Sequence, residues 1–280
     1  MGRNGTVASS QPLATAAGLS ILANGGNAAD AAVATAAALN VTEPTSTGIG
    51  GDMFALYYDA HTKQVTAING SGRAPAALSL ERLQKENIRE LPAFHPYTIT
   101  VPGACAGWFD LIEKHGTLPM KQILAPAINL AENGFPVAPI TAHFWERGAE
   151  RQLKSALNGY ELTIEGRAPK AGEIFSNKGL ARTFRKIAEE GKRAYYEGEI
   201  AESIAQVIQE SGGCLTTDDL AAHHSTWDEP ISVNYRGYRI WECPPNGQGL
   251  AALLALNLLE GFDLASLPPI STRRLHLQLE

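Results

Sequence analysis

The chain has 280 residues, 44% of them apolar, enough to bury a sizeable core and to form one large or two ordinary domains. Its formal net charge of −6 and its lack of any dense basic run exclude a general affinity for nucleic acid or anionic membrane, leaving small molecules or protein partners. Three widely spaced cysteines, Cys105, Cys214 and Cys243, form neither a disulfide framework nor a zinc knuckle, and a reducing compartment fits them.

The first residues, MGRNGTVASSQPLA, lack the continuous apolar core of an export signal, and no stretch reaches membrane-spanning length without polar interruption. A soluble, cytoplasmic protein is expected. Ser9-Ser10-Gln11-Pro12 offers a cap hydroxyl and an early proline, after which Leu13, Ala16, Leu19, Ile21 and Leu22 recur at helical spacing until Gly25-Gly26. Asn27 then caps a helix over 28–39. Alanine at nearly every position permits close packing on all sides, so this helix should be buried rather than amphipathic.

The chain is organised around the stretch that follows, where Thr45-Ser46-Thr47-Gly48-Ile49-Gly50-Gly51-Asp52 runs straight into the alternating Met53-Phe54-Ala55-Leu56-Tyr57-Tyr58. Three glycines in four residues allow positive φ and bring the backbone close to another segment or to an anionic ligand. Strands over 53–58 and 64–69, joined by the five residues 59–63, should form an antiparallel hairpin. Gly70-Ser71-Gly72-Arg73-Ala74-Pro75 then sets an arginine on a glycine-flanked turn. Such a fork suits two-point contact with a carboxylate, and turn arginines also serve in surface ion pairs.

Helices are predicted over 80–90, 104–115, 120–132, 140–157, 178–190 and 199–211, each punctuated by glycine or proline. The interleaved Lys, Arg and Glu of 178–193 read as a solvated face. Thr216-Thr217-Asp218-Asp219 reads as a capped helix start whose acids are not metal ligands. A second hairpin pairs 231–235 with 238–242 around Arg236-Gly237, and Pro244-Pro245-Asn246-Gly247-Gln248-Gly249 leads into an apolar helix over 250–259. Neither strand pair makes a stable sheet alone, so one composite domain over 1–280 is expected. Residues 271–280 begin a new helix in mid-pattern, and the chain is expected to continue.

No nucleophile, acid/base pair, metal set or cofactor signature stands out. Gly48-Ile49-Gly50-Gly51 lacks the lysine and hydroxyl of a P-loop and precedes a strand. Cys105 follows Pro102-Gly103 at a helix start, where the dipole lowers a thiol pKa, yet no histidine-plus-amide set is tied to it, and a small buried thiol is the expectation. His223-His224 has no further ligands at zinc spacing and reads as an exposed turn.

Six segments, in order, resemble γ-glutamyltransferases: Gly25-Gly26-Asn27-Ala28-Ala29-Asp30-Ala31-Ala32-Val33-Ala34, Thr47-Gly48-Ile49-Gly50-Gly51-Asp52-Met53-Phe54, Val101-Pro102-Gly103, Glu132-Asn133-Gly134-Phe135-Pro136-Val137, Tyr195-Tyr196-Glu197-Gly198 and Pro244-Pro245. The similarity runs from Val7 to about Glu260. It implies an α+β fold, the four-layer αββα sandwich of N-terminal-nucleophile hydrolases, here only in its large-subunit part. It also implies a precursor that cuts itself in two, with a small subunit whose N-terminal threonine attacks an amide carbonyl, its own α-amino group acting as base. A heterotetramer is an allowed assembly, and glutathione metabolism is the setting of typical members.

Thr216-Thr217 is followed by Asp218 rather than the family's histidine, so no catalytic residue is assigned in this chain and the nucleophile is expected on the partner. Typical transpeptidases carry a substrate-binding arginine where this chain has Ser71 and an acid where it has Gly72. Arg73, two residues later, is assigned that role of binding the substrate carboxylate. The Ser-Gly-Arg-Ala-Pro form and the Pro-Pro-Asn-Gly-Gln-Gly loop resemble the acylase-like and oxamate-amidohydrolase-like branch. The resemblance thus implies the large subunit of an amidohydrolase or acyltransferase acting on γ-glutamyl or similar carboxylate-bearing amides, without metal or cofactor. The alternative is a non-catalytic binding or scaffold protein that keeps the half-fold.

Overall fold

The computed structural model describes residues 2–280. In chain order the elements are helices α1 (Pro12–Ala23) and α2 (Ala28–Thr42), strands β1 (Met53–Asp59) and β2 (Gln64–Gly70), helices α3 (Leu80–Lys85), α4 (Ala104–His115) and α5 (Met120–Asn133), and strand β3 (Phe135–Pro136). Helix α6 (Pro139–Gly148), strand β4 (Ile174–Phe175) and helices α7 (Lys178–Glu190), α8 (Arg193–Tyr196), α9 (Glu199–Glu210) and α10 (Thr217–Ala221) follow. Strands β5 (Thr226–Asp228), β6 (Ile231–Tyr235) and β7 (Tyr238–Glu242) and helices α11 (Gly249–Leu259) and α12 (Thr272–Leu279) complete the chain. They fall into two compact units, one of residues up to 53 with 70–225, the other of residues 54–69 with 226–280.

The first unit is built on α2, which packs against α1, α4 and α5. Its N-terminus is a full capping box: the Asn27 side chain accepts from the N–H groups of Ala29 and Asp30 while the Asp30 carboxylate accepts from Asn27 N–H. Ala29, Ala31, Val33, Ala34, Ala37 and Ala38 are buried, but Ala28 and Ala32 are exposed and Ala36 and Leu39 only half-buried, so one strip of the helix stays open, contrary to the expectation of packing on all sides. Gly18 of α1 lies so close to α2 that a Cβ there would sit 2.2 Å from Thr35 Oγ1. Helix α1 is capped by the Gln11 side chain, which accepts from Leu13 N–H at 2.8 Å, rather than by a serine hydroxyl. Helix α7 buries Ala181, Phe184 and Ile187 and turns its charges outward, where Arg185 pairs with Glu132 and Lys186 with Glu199.

Two predicted helices end early for local reasons. Helix α3 stops at Lys85 because Asn87 turns left-handed, φ 56°, and Ile88 N–H folds back on the Leu83 carbonyl. The span 140–157 is helical only to Gly148 before it widens into a single π-type turn, Ala149–Leu153. In the second unit β2 pairs antiparallel with β5, Ala67 opposite Asp228 and Asn69 opposite Thr226, in the order β1-β2-β5. Strands β6 and β7 form the expected hairpin. Its turn residues Arg236 and Gly237 both have positive φ, and α11 packs on both strands.

Candidate functional site

Four separate stretches of the first unit meet at the glycine loop. The Gly51 carbonyl accepts from both Gly103 and Ala104 N–H at 2.9 Å, tying residues 48–52 to the start of α4. Tyr195 O–H donates to the Ile49 carbonyl at 3.2 Å, and Tyr196 O–H donates to the Pro102 carbonyl at 2.7 Å while accepting Ala106 N–H at 3.0 Å. Burial pushes both phenols well above the ordinary tyrosine range, so they act as neutral struts rather than acids or bases. Asp52 accepts Gly72 N–H at 3.1 Å and Val101 N–H donates to the Arg73 carbonyl at 2.9 Å, which fixes the arginine turn to the same frame.

Close approach of backbones explains Gly70, Gly72 and Gly103, whereas a Cβ on Gly48 or Gly50 of the loop would meet no close neighbour. Gly48, Gly50, Gly51, Gly70 and Gly72 all lie outside the positive-φ set, contrary to the conformational freedom their spacing suggests. A Cβ on Gly72 would fall 1.6 Å from the Val101 carbonyl oxygen, and one on Gly103 2.0 Å from that of Gly70. The acid that typical transpeptidases carry at Gly72 therefore has no room on this backbone.

Arg73 is exposed, and no carboxylate pairs with it among the described residues. Its Nη1 donates to the His224 carbonyl at 3.3 Å, and its Nη2 lies 3.3 Å from His224 Nε2. On the far side of the turn, Ala76 N–H donates to Asp219, whose other oxygen completes the capping box with Thr216. Both Thr216 and Asp219 are thus occupied in holding α10.

His223 departs from the exposed turn its sequence suggests. It is half-buried and stacked on Tyr196 with centroids 5.3 Å apart, and neither ring nitrogen has a partner among the described residues. Burial, followed by the charge of Arg73, lowers its pKa. His224 is exposed as expected. Cys105 is buried in α4 with its thiol pushed far up by burial, the inert small residue its setting suggests. Asn40 is a polar residue that sequence reasoning passed over. It lines a cavity of about 220 Å³ with Thr47, Gly48, Ile49 and Gly50, donating to Thr47 Oγ1 while its Oδ1 has no partner. Among the described residues no group of three or more His, Cys, Asp or Glu is placed to hold a metal, and no helix is long and apolar enough to cross a membrane.

The family model of Gamma-glutamyltranspeptidase matches residues 14–280. Over its full length the chain is 38% identical to the glutathione hydrolase-like YwrD proenzyme of Bacillus subtilis (strain 168), of which it spans 53%. Among solved structures, Helicobacter pylori gamma-glutamyltranspeptidase superposes with a TM-score of 0.93 at 32% identity, covering all of this chain and 81% of that one. Cephalosporin acylase from Bacillus halodurans gives 0.91 at 43% identity, covering all of this chain and 54% of that one. The chain spans about half the length of the proenzymes it matches. Agreement at this level over the whole chain establishes the α+β fold of the N-terminal-nucleophile hydrolase type, in its large-subunit part. The chain belongs to the gamma-glutamyltranspeptidase family.

Proposed function

We propose that this chain is the large subunit of an autoprocessed amidohydrolase or acyltransferase that cleaves γ-glutamyl or similar carboxylate-bearing amides. The attacking threonine stands at the start of a small subunit cut from the same precursor. Its hydroxyl attacks the amide carbonyl with its own α-amino group as base, the amine leaves, and the acyl group passes to water or to a second amine. That the chain matches about half of proteins named as proenzymes supports the two-subunit part of this reading. The three widely spaced cysteines favour a cytoplasmic setting.

The exposed Arg73 guanidinium, on a turn pinned to Asp52 and Val101, carries the substrate class. Two of its five N–H groups are directed to His224, and three remain for a carboxylate. A charged hydrogen bond there contributes about 1.5–3 kcal/mol, roughly ten- to a hundredfold in specificity. Intact mass spectrometry of the native protein tests the enzyme reading. A second polypeptide beginning with threonine, in a sample that turns over an amide, is expected; this chain without such a partner would make it a binding or scaffold protein.

A further inference from the structure

The arginine assigned above to the substrate carboxylate is held by one neighbour, and the chemistry of that contact fixes the neighbour's protonation. Arginine has only N–H donors and stays charged, so where Arg73 Nη2 meets His224 Nε2 at 3.3 Å the imidazole nitrogen must offer its lone pair. The ring proton is then on Nδ1, and Nδ1 lies 3.2 Å from the Ala222 carbonyl, where it donates. Both contacts agree on one neutral tautomer. The His224 carbonyl takes the second guanidinium arm at 3.3 Å, so one residue receives both Nη groups and sets the plane of the fork.

We propose that His224 is the positioning residue of the carboxylate site: accepting through Nε2 and donating through Nδ1, it aims the Arg73 guanidinium at the substrate. This rests on the reading that Arg73 binds the carboxylate. Beside the pair in the chain stands His223, which feels the charges of Asp110 on α4 and Asp52 on the glycine loop, and Asp219 on α10 binds Ala76 N–H on the far side of the arginine turn. Asp110 is held by Lys192, Asp52 by Gly72 N–H, and Asp219 by Thr216 and Ala76 N–H. None of these contacts leads to His224, and Arg73 remains its bonded side-chain partner.

The test compares kcat/KM for a carboxylate-bearing amide and its neutral analogue in the assembled two-subunit enzyme. His224→Leu should lower the charged-to-neutral ratio about three- to tenfold, the worth of one such hydrogen bond. His224→Gln, whose amide oxygen can accept in place of Nε2, should restore most of the ratio. Failure of Gln to restore it, or an unchanged ratio in His224→Leu while Arg73→Ala lowers it, overturns the positioning role alone. Equal losses for both substrates in Arg73→Ala overturn the carboxylate reading as well. The unmutated enzyme gives an independent check: nitrogen NMR of histidine-labelled protein should show His224 protonated on Nδ1, and protonation on Nε2 at neutral pH would refute the contact.

Discussion

The Asp30 carboxylate accepts from Thr117 twice, from its N–H at 3.0 Å and from its hydroxyl at 2.6 Å. Because the same carboxylate also closes the capping box of α2, one buried acid joins the start of that helix to the link between α4 and α5. Asp30→Asn keeps the shape but turns an acceptor oxygen into a donor facing other donors. It should cost about 3 kcal/mol, as expected for losing a hydrogen-bonded charge, read by urea unfolding of the assembled enzyme. A loss under about 1 kcal/mol would show that Thr117 is held by other means.

Gly72→Ala puts a methyl into the Val101 carbonyl. The turn must shift, and with it the Arg73 backbone, so a loss of about 3 kcal/mol is expected, with a fall in activity toward carboxylate-bearing amides. Ser71→Arg alone should be tolerated far better, since Ser71 carries a side chain already. Comparing melting temperatures of the two variants settles the order.

Glu173 gives a pH prediction. Its carboxyl is held down to about 2 by the Arg167 guanidinium, which meets both oxygens at 2.8 Å, and then by Lys170 N–H. A carboxyl lower in the folded chain than in the unfolded one stabilises above the unfolded pKa of 4.5, and that contribution is lost as pH falls toward 2. Protection of the amides in residues 164–175, relative to their intrinsic exchange rate at each pH, should therefore fall between these values, and Glu173→Gln should show the faster exchange at neutral pH. Identical exchange in the two proteins at neutral pH would count against the clamp.

Helix α11 buries Leu253 but leaves Leu250, Leu254 and Leu258 exposed at 46, 54 and 70%. On the two-subunit reading this face meets the partner. Leu254→Glu with Leu258→Glu should raise the solubility of the isolated chain and block assembly with the small subunit, as followed by size-exclusion chromatography. Assembly at the parent level would place the partner elsewhere.

Elements bounded by strong local punctuation were legible in the sequence. Helix α4 begins after Pro102-Gly103 and ends at Gly116, α7 runs from its Asn177 cap to Gly191, and the β6–β7 hairpin turns on Arg236-Gly237. Features set by distant partners were not. Strand β5 has three residues, too few for a periodic signal, and exists because β2 offers it an edge. His223 reads as exposed until Tyr196, remote in sequence, supplies the ring that covers it. At the candidate site, the glycine-flanked turn of Arg73 is marked in the sequence, but its contact with His224 spans 151 positions and has no local mark.

The alanine-rich character of α2 sets which changes this scaffold can absorb. Alanine has no rotamers to freeze, so ordering α2 costs almost no side-chain entropy beyond that of its backbone. By the same token its alanines cannot re-pack around an intruder, and Gly18 brings α1 within a methyl's width of Thr35. Mutational tolerance along α2 should therefore follow exposure: enlarging a fully buried alanine such as Ala34 or Ala37 pushes neighbouring helices apart, whereas the exposed Ala28 and Ala32 can take larger side chains.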